Sequence, residues 1–333
     1  LMANKKILVT GGAGFIGSNI AATLEAKGAG PLVIVDRLRH GDKWRNIAKR
    51  HLHDIVDPDN LSEYLAANSR EVTGFVHMGA ISATTETDAD LIVETNFRLS
   101  RDLWIWCAEN NKPFIYASSA ATYGDGDLGF EDDIADTALA ALRPLNPYGW
   151  SKLLFDRWVA TELTNDQPRP PQWAGLRFFN VYGPNEYHKG RMQSVVSQIQ
   201  PLAAAGDVCR LFKSHNPDYA DGGQLRDFVF VDDCADVIAW LLESKSVSGL
   251  FNMGTGNARS FKDLAAAVYT ASETEFKVEF TPTPEDIRDK YQYFTQANMT
   301  RLRDAGYGGQ FTSLEDGVAR YVRDYLATDD PYK

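Results

Sequence analysis

Short apolar stretches alternate with longer amphipathic ones over the first half of the chain. Runs rich in Val, Ile and Phe predict buried strands at 5–12, 31–37, 74–80, 114–120 and 173–180. These runs lack strict apolar–polar alternation, which is typical of parallel strands covered on both faces. The stretches between them predict helices at 14–27, 86–110 and 147–163. This succession indicates an α/β protein with a Rossmann-type, doubly wound parallel sheet.

The regular succession of strands and helices ends near residue 180. Turn-rich loops and one helix follow, and strand and helix patterns return in "RDFVFVDDCADVIAWLLES" (226–244) and "GLFNMGTG" (249–256). We therefore predict one domain over 1–180 with returns near 225–256. A smaller, interleaved C-terminal lobe, mainly 181–333, is expected to bind the substrate.

Composition excludes several classes of protein. The 333 residues are 44% hydrophobic and 24% charged, which is ordinary for a globular chain, and the net charge of −11 argues against a nucleic-acid-coating surface. Three scattered cysteines fit a reducing compartment, and no His, Cys or carboxylate set has metal-ligand spacing. No apolar run approaches the ~20 residues of a membrane span. We expect a soluble, cytoplasmic protein with no metal and no membrane or nucleic-acid partner.

The turn after the first strand is rich in glycine. In "VTGGAGFIGSN" the residues Gly11, Gly14 and Gly17 are spaced three apart, between a predicted strand and a predicted helix. Glycine permits a tight turn and close approach of the backbone to a pyrophosphate, which the helix amino end also favours. Glycine-rich turns are common on their own, but this context predicts that the first domain binds a dinucleotide.

The end of the second strand bears on which dinucleotide binds. Asp36 lies where a carboxylate reads the ribose 2′-hydroxyl of NAD, whereas the cations that follow, Arg37, Arg39 and Lys43, suit the 2′-phosphate of NADP. A solvated loop is the alternative for these cations, so the residues leave the choice open. Asp54, after the third strand in "HLHDIVD", is a candidate contact to the adenine edge.

Three residues form a candidate hydride-transfer site. Tyr148 and Lys152 in "NPYGWSK" lie four apart on one face of a predicted helix, and Ser119 ends a strand in "YASSAATYG". Ser119 can hydrogen-bond a substrate hydroxyl that Tyr148 deprotonates. The Lys152 ammonium is expected to lower the phenol pKa from its usual ~10 and to hold the nicotinamide ribose. Each element alone is common, but their order after the glycine turn predicts an oxidation–reduction site.

These motifs resemble the extended short-chain dehydrogenase/reductase family, in its branch of nucleotide-sugar epimerases and dehydratases. The resemblance rests on "TGGAGFIG", "YASSAATYG", "PYGWSK", "RFFNVYGP", "RDFVFVDD" and "FNMGTG", which span most of the chain. Dehydratases of this branch are similar to one another in an Asp-Glu pair just after the catalytic hydroxyl, where this chain has Ala120 and Ala121. The resemblance therefore implies epimerisation, or another oxidation–reduction, without elimination of water.

Further stretches resemble the ADP-L-glycero-D-manno-heptose 6-epimerases. They are "HMGAISATTETD", "FNVYGPNEYHKGRMQSV", "RLFKS" and "YQYFTQANMTRLRDAGY". This resemblance implies interconversion of ADP-D-glycero-D-manno-heptose and its L-glycero epimer at C6, through a 6-keto intermediate, for the lipopolysaccharide core. It also implies a retained nicotinamide cofactor, NADP with NAD not excluded, and a homo-oligomer, by analogy a pentamer.

The resemblance assigns site residues position by position. The implied cofactor contacts, besides Gly11, Gly14, Gly17, Asp54, Tyr148 and Lys152, are Phe15, Ile16, Asp36, Arg37, Lys43, Met78, Gly79, Ala80, Ile81, Ser82, Asn96, Val181 and Lys189. The implied substrate contacts are Ser119, Asn180, Arg191, Gln198, Phe212, Lys213, Ser214, His215, Arg226 and Tyr291. Three positions depart from the family pattern: Arg191 replaces a small hydroxyl residue, Gln198 a histidine and Pro58 a lysine.

The turn "NEYHKG" (185–190) adds a second lysine to the implied site. Because the cofactor stays in place, one acid–base group is badly placed for one of the two C6 epimers. The resemblance implies that Tyr148 serves one epimer and Lys189 the other. A loop cation that binds phosphate is the alternative role for Lys189.

Two other functions are compatible with these residues. An NAD-dependent 4-epimerase or reductase of a UDP- or GDP-sugar would use the same Ser119, Tyr148 and Lys152. A non-catalytic, cofactor-sensing or assembly protein would keep the fold but not the activity, and the intact trio argues against it. Turnover of a sugar nucleotide distinguishes the two classes.

Overall fold

The computed structural model describes residues 5–289 and 291–333. Its strands are β1 (Lys6–Thr10), β2 (Leu32–Val35), β3 (Asp54–Val56), β4 (Val72–His77), β5 (Phe114–Ser119), β6 (Trp173–Phe178), β7 (Asn180–Tyr182), β8 (Cys209–Phe212), β9 (Leu225–Arg226), β10 (Phe228–Phe230), β11 (Gly249–Met253), β12 (Arg259–Ser260) and β13 (Val278–Thr281).

The helices are connected to these strands in the predicted alternation. They are α1 (Phe15–Ala26), α2 (Leu61–Asn68), α3 (Ala89–Ile92), α4 (Leu99–Glu109), α5 (Asp136–Ala141), α6 (Pro147–Thr164), α7 (Val195–Ala205), α8 (Val231–Glu243), α9 (Phe261–Ala271), α10 (Glu285–Arg288), α11 (Thr300–Asp304) and α12 (Leu314–Tyr321). In the part of the chain that the structure describes, none of them is both long and apolar enough to cross a membrane.

Seven strands form the central parallel sheet, in the order β11-β6-β5-β4-β1-β2-β3. β1, β2 and β4 are almost entirely buried, because helices cover both faces of the sheet, and this explains their continuous apolar sequence. Thr10 lies opposite Val35 on one neighbouring strand and His77 on the other, so the carboxyl ends of β1, β2 and β4 form one edge. The predicted Rossmann-type α/β fold is confirmed.

The buried hydrophobic residues form two separate cores. The first packs the sheet against its helices and includes Val237 and Ile238 of α8 as well as Leu302 of α11. The second joins α7, α9, α12 and the short strand β10 of the C-terminal lobe. The segment 228–253 thus passes from the second core back into the central sheet.

Helix boundaries follow local signals with one exception. α6 begins where predicted, because Pro147 takes the first helical position and the Asn146 side chain accepts a hydrogen bond of 2.8 Å from the Gly149 amide. The helix predicted at 86–110 is instead divided into α3 and α4 by a widened, π-helical turn at Val93–Arg98. That turn directs Asn96 into the interior.

Candidate active site

A cleft of about 960 Å³ opens at the carboxyl edge of the sheet, where ligands of such sheets bind. Most of the predicted cofactor residues line it: Gly11, Gly14, Phe15, Ile16, Gly17, Asp36, Arg37, Lys43, Met78, Gly79, Ala80, Ile81, Ser82, Tyr148, Lys152, Val181 and Lys189. Ser119 lines it as well. The predicted nucleotide site and the predicted catalytic residues therefore share one cavity.

The glycine turn is packed too closely for any side chain. Gly11 has φ +60°, and a Cβ there would lie 2.8 Å from the Gly79 Cα; a Cβ on Gly17 would lie 2.1 Å from the Gly11 carbonyl oxygen. α1 follows directly, with Gly14 at its N-cap and no side-chain cap. Backbone amides at an open helix end fit a pyrophosphate, so the residues present suit a dinucleotide.

A buried histidine is hydrogen-bonded to the residue that precedes this turn. Burial lowers the pKa of His77 to about 3, so the ring is neutral. Ser100 Oγ donates to the Asn96 carbonyl at 2.7 Å and therefore accepts from His77 Nε2 at 2.9 Å. His77 Nδ1 then accepts from the Thr10 hydroxyl at 2.5 Å, and the Thr10 oxygen accepts from the Gly79 amide at 3.0 Å. No local pattern in the sequence predicted this network, which fixes the approach of Gly79 to the glycine turn.

Asn96 is placed behind the cleft and supports one of its walls. It is 1% exposed, its Oδ1 accepts from the Ile81 amide at 2.8 Å, and its Nδ2 donates to the Ile81 carbonyl at 3.0 Å. Asn96 therefore holds the loop 78–82 from behind and does not itself line the cleft.

At the other end of the cleft, acidic groups pair with the candidate phosphate-binding cations. Asp36 accepts from the Ala13 amide at 3.0 Å and from Lys43 Nζ at 2.7 Å. Arg37 forms an ion pair with Asp59. Pro58, which stands where the family pattern has a lysine, begins a short 3₁₀ turn in the same wall.

The prediction that Asp54 follows the third strand is wrong. Asp54 begins β3, where it lies opposite Val33. The strand runs on to Val56, which lies opposite Val35 at the cleft edge. Because β3 is only three residues long and has a polar first residue, the hydrophobic pattern did not mark its start, and Asp54 lies at the far end from the cleft.

The catalytic candidates meet where β5 ends and α6 begins. Lys152 Nζ donates to the Ala117 carbonyl at 2.9 Å and lies 5.9 Å from the centre of the Tyr148 ring. Burial lowers the pKa of Lys152 to about 8, and the nearby Asp156 carboxylate opposes this shift. Ser119 Oγ accepts from the Ala121 amide at 3.1 Å.

The pKa of Tyr148 differs from the sequence-based expectation. Burial raises it above its ordinary 10, and a hydrogen bond with the Ser119 side chain opposes the rise. Desolvation of the phenol is the largest effect, and the lowering expected from Lys152 is not found.

A buried ion pair lies behind these residues. Asp156 and Arg177 are both fully buried and 3.0 Å apart. Asp156 also accepts from Ser118 Oγ at 2.8 Å, immediately before Ser119 on β5. The pair joins α6, β5 and β6, and it was not predicted from sequence.

The turn that carries Lys189 closes over the glycine turn. It is a 3₁₀ segment at Tyr187–Met192, and Lys189 Nζ lies 5.0 Å from the centre of the Phe15 ring. Burial lowers the pKa of Lys189, and Glu186 opposes this shift. Lys189, the second lysine of the candidate site, therefore lies in the cleft, beside the first turn of α1.

Three predicted substrate residues form a cluster in the C-terminal lobe. The Arg226 guanidinium lies 5.4 Å from the ring centres of both Phe261 and Tyr291, and Phe212 lies 6.0 Å from Tyr291. Burial lowers the pKa of Arg226. A planar cation held between aromatic rings is suited to a diphosphate or a base.

Six other predicted substrate residues do not line the cleft. Asn180, Arg191, Gln198 and Lys213 are exposed. His215 Nε2 accepts from the Thr283 amide at 3.1 Å, and the Ser214 amide donates to Asp221 at 2.8 Å. These two residues fold their own loop.

The C-terminal segment supplies a wall residue that sequence patterns did not indicate. Tyr332 lines the cleft, with its ring centre 5.3 Å from that of Tyr187 and 4.4 Å from the Arg45 guanidinium. Its carbonyl accepts from Lys49 Nζ at 2.6 Å. Its position depends on contacts far away along the chain, for which no local pattern exists.

The chain belongs to the NAD dependent epimerase/dehydratase family, whose description matches residues 7–254. This makes it an enzyme of the nucleotide-sugar epimerase class with a nicotinamide cofactor, as the motifs implied. It is 50% identical over 327 residues to the ADP-L-glycero-D-manno-heptose-6-epimerase of Nitratidesulfovibrio vulgaris Hildenborough, covering 98% of this chain and 99% of that protein. The narrower resemblance seen in the sequence is thereby confirmed.

Solved structures agree with this placement. The ADP-L-glycero-D-manno-heptose-6-epimerase of Helicobacter pylori is 28% identical, with a TM-score of 0.79 over 97% of this chain and 96% of that one. The UDP-glucose 4-epimerase of Thermus thermophilus, in complex with NAD, is 26% identical, with a TM-score of 0.71 over 94% of this chain and 96% of that one.

Proposed function

We propose that the protein interconverts ADP-D-glycero-D-manno-heptose and ADP-L-glycero-D-manno-heptose at C6. The observation that carries this proposal is that two separate acid–base candidates, Tyr148 and Lys189, line the cleft that contains the glycine turn. A chain that oxidises and re-reduces one carbon from either configuration has use for both. Relatives of nearly equal length that bear this enzyme name support the choice of substrate.

We propose NADP as the cofactor. When bound, its nicotinamide would supply hydride transfer at the carbon that carries the substrate hydroxyl. Asp36 would ordinarily favour NAD, but Lys43 offsets its charge at 2.7 Å, and Arg37 and Arg39 line the same end of the cleft. We expect NADP to be released on denaturation, and Arg37→Ala to weaken NADP binding more than NAD binding.

Side chains of the protein accept and donate the proton of the C6 hydroxyl. We propose that Tyr148, as the phenolate, takes the hydroxyl proton of one C6 epimer on oxidation, with Ser119 orienting that hydroxyl. Lys189 gives a proton to the keto oxygen when the other epimer is formed, and the reverse conversion moves both protons back. Lys152, held by the Ala117 carbonyl, supplies positive charge near the phenol and the nicotinamide ribose. Lys189 exchanges the proton with the hydroxyl of the other epimer.

We propose that the ADP part of the substrate lies against the Arg226 cluster. Arg226 is held between Phe261 and Tyr291, so its guanidinium is pre-oriented for a diphosphate. We also propose a homo-oligomer, by family resemblance a pentamer. Sedimentation of the purified protein tests the assembly.

Proton NMR of the purified protein with ADP-D-glycero-D-manno-heptose, without added cofactor, tests the function. We expect a mixture of the two C6 epimers, because the cofactor is retained and regenerated. No conversion after NADP or NAD is supplied would contradict the proposal. UDP- and GDP-sugars are then the substrates to assay.

A further inference from the structure

Glu186 is a buried carboxylate three residues before Lys189 and belongs to none of the assigned roles. It is 0% exposed. Its Oε2 accepts hydrogen bonds from the Gly183 amide at 3.3 Å, Ser194 Oγ at 2.8 Å and the Tyr321 hydroxyl at 3.0 Å, and its Oε1 accepts from the Ser194 amide. All four partners donate, which suits an ionised carboxylate.

These contacts fix the turn at both ends. Gly183 precedes the 3₁₀ segment and Ser194 follows it, while Tyr321 belongs to α12 of the C-terminal lobe. The Lys189 amide donates to the Glu186 carbonyl at 3.0 Å. The position of the Lys189 side chain over Phe15 therefore depends on Glu186.

The other titratable groups around Lys189 are neutral or paired with each other. Glu186 is therefore the anion whose charge acts on the Lys189 amine. His188 is neutral, because burial lowers its pKa to about 4, and its Nδ1 lies 3.2 Å from the Asn46 side-chain amide. Lys43 and Asp36 act on His188 and form an ion pair with each other. Burial raises the pKa of Tyr187, which keeps that phenol neutral.

We infer that Glu186 is a positioning residue of the active site, which fixes the Lys189 turn and places a buried negative charge three residues before Lys189. The inference rests on the proposed acid–base role of Lys189. The charge favours the ammonium, whereas accepting a substrate proton requires the neutral amine. Glu186 thereby raises the pH above which Lys189 accepts a proton, against the effect of burial.

Glu186→Gln preserves the size of the side chain and removes its charge. The Lys189 amine then loses its proton at lower pH, so the rate of oxidation of the Lys189-dependent epimer rises at lower pH than in the wild type. The Tyr148-dependent epimer keeps its profile. A purely structural role for Glu186 would slow both epimers without moving either profile.

The test is single-turnover oxidation of each purified C6 epimer, followed by the absorbance of reduced nicotinamide across pH. Wild type, Glu186→Gln and Glu315→Gln are compared; Glu315 is an exposed partner of Arg259 and serves as the control. In Glu186→Gln alone, we expect the rising limb of the pH–rate profile to move to lower pH for the Lys189-dependent epimer. An unmoved limb for both epimers overturns the inference.

Lys189→Ala separates this result from the proposed function. If it leaves both epimers oxidised at wild-type rates, the acid–base role of Lys189 fails, whatever Glu186→Gln does. If it slows one epimer about 100-fold or more while Glu186→Gln leaves that epimer's profile unmoved, only the role of Glu186 fails.

A measurement on the wild type covers the case in which Glu186→Gln does not fold. The ¹³Cε resonance of Lys189, assigned by its loss in Lys189→Ala, is titrated without substrate. Burial raises the pKa of Glu186, which brings its protonation toward the accessible range. We expect the resonance to respond in two steps, one for each group. A single step overturns the inference.

Discussion

Lys189 Nζ lies 5.0 Å from the centre of the Phe15 ring, so the turn after β7 meets the first residue of α1. The contact places an amine beside the glycine turn, and it joins parts of the chain that lie far apart in sequence. Tyr148 reaches the same cleft from α6. Two acid–base candidates from different elements are the central feature of this site.

Removing the second amine tests that feature. We expect Lys189→Ala to slow epimerisation about 10²- to 10⁴-fold in both directions, because every turnover passes through both epimers. Proton NMR of the substrate mixture measures the rate. Lys245→Ala, at an exposed position, is the control and keeps the wild-type rate. A Lys189→Ala protein with the wild-type rate would show that the amine is only a loop cation.

Two glycines offer a matched pair of substitutions, one in the glycine turn and one outside it. Gly11 and Gly28 both have positive φ, but a Cβ on Gly11 meets Gly79, whereas one on Gly28 has nothing within 4 Å. We expect Gly28→Ala to cost about 1–2 kcal/mol of stability and to retain its cofactor. Gly11→Ala should lose its cofactor in addition to this stability. Absorbance of the cofactor released on denaturation distinguishes the two variants. Equal retention of cofactor in both would contradict the role of the glycine turn in binding the dinucleotide.

His77 predicts a pH dependence of stability. Its folded pKa of about 3 lies below the ordinary 6.5, so the unfolded chain takes up the proton first. The stability that the neutral ring contributes is present above pH 6.5 and is lost as pH falls toward 3. Urea unfolding should therefore show the advantage of wild type over His77→Gln shrinking through this range. Parallel loss of stability in the two proteins would contradict the role of the buried ring.

The buried Asp156–Arg177 pair predicts a large loss of stability from a small change. Asp156→Asn leaves the Arg177 charge uncompensated in the interior, which should cost about 3–5 kcal/mol. Asp102→Asn breaks an exposed pair with Arg101 and should cost less than about 1 kcal/mol. Denaturant unfolding measures both. Equal losses would mean that the buried pair does not hold β5, β6 and α6 together.

The sequence predicted those parts of the molecule that have local signals. The glycine turn, the strands around it and the Tyr148–Lys152 spacing each lie within a few residues, so pattern and turn chemistry suffice. His77 bonds to Thr10 across 67 residues, and Glu186 to Tyr321 across 135. Nothing near either residue in the sequence marks such a partner, which is why the supporting polar groups were missed.

Substrate that carries deuterium at C6 tests directly whether hydride transfer occurs within one active site. We expect the hydride to leave C6 and to return to its other face there, so the epimer formed keeps the deuterium in ordinary water. NMR of the product at C6 measures the retention of deuterium. Complete exchange with solvent would mean that C6 loses a proton instead of a hydride, and would contradict this mechanism.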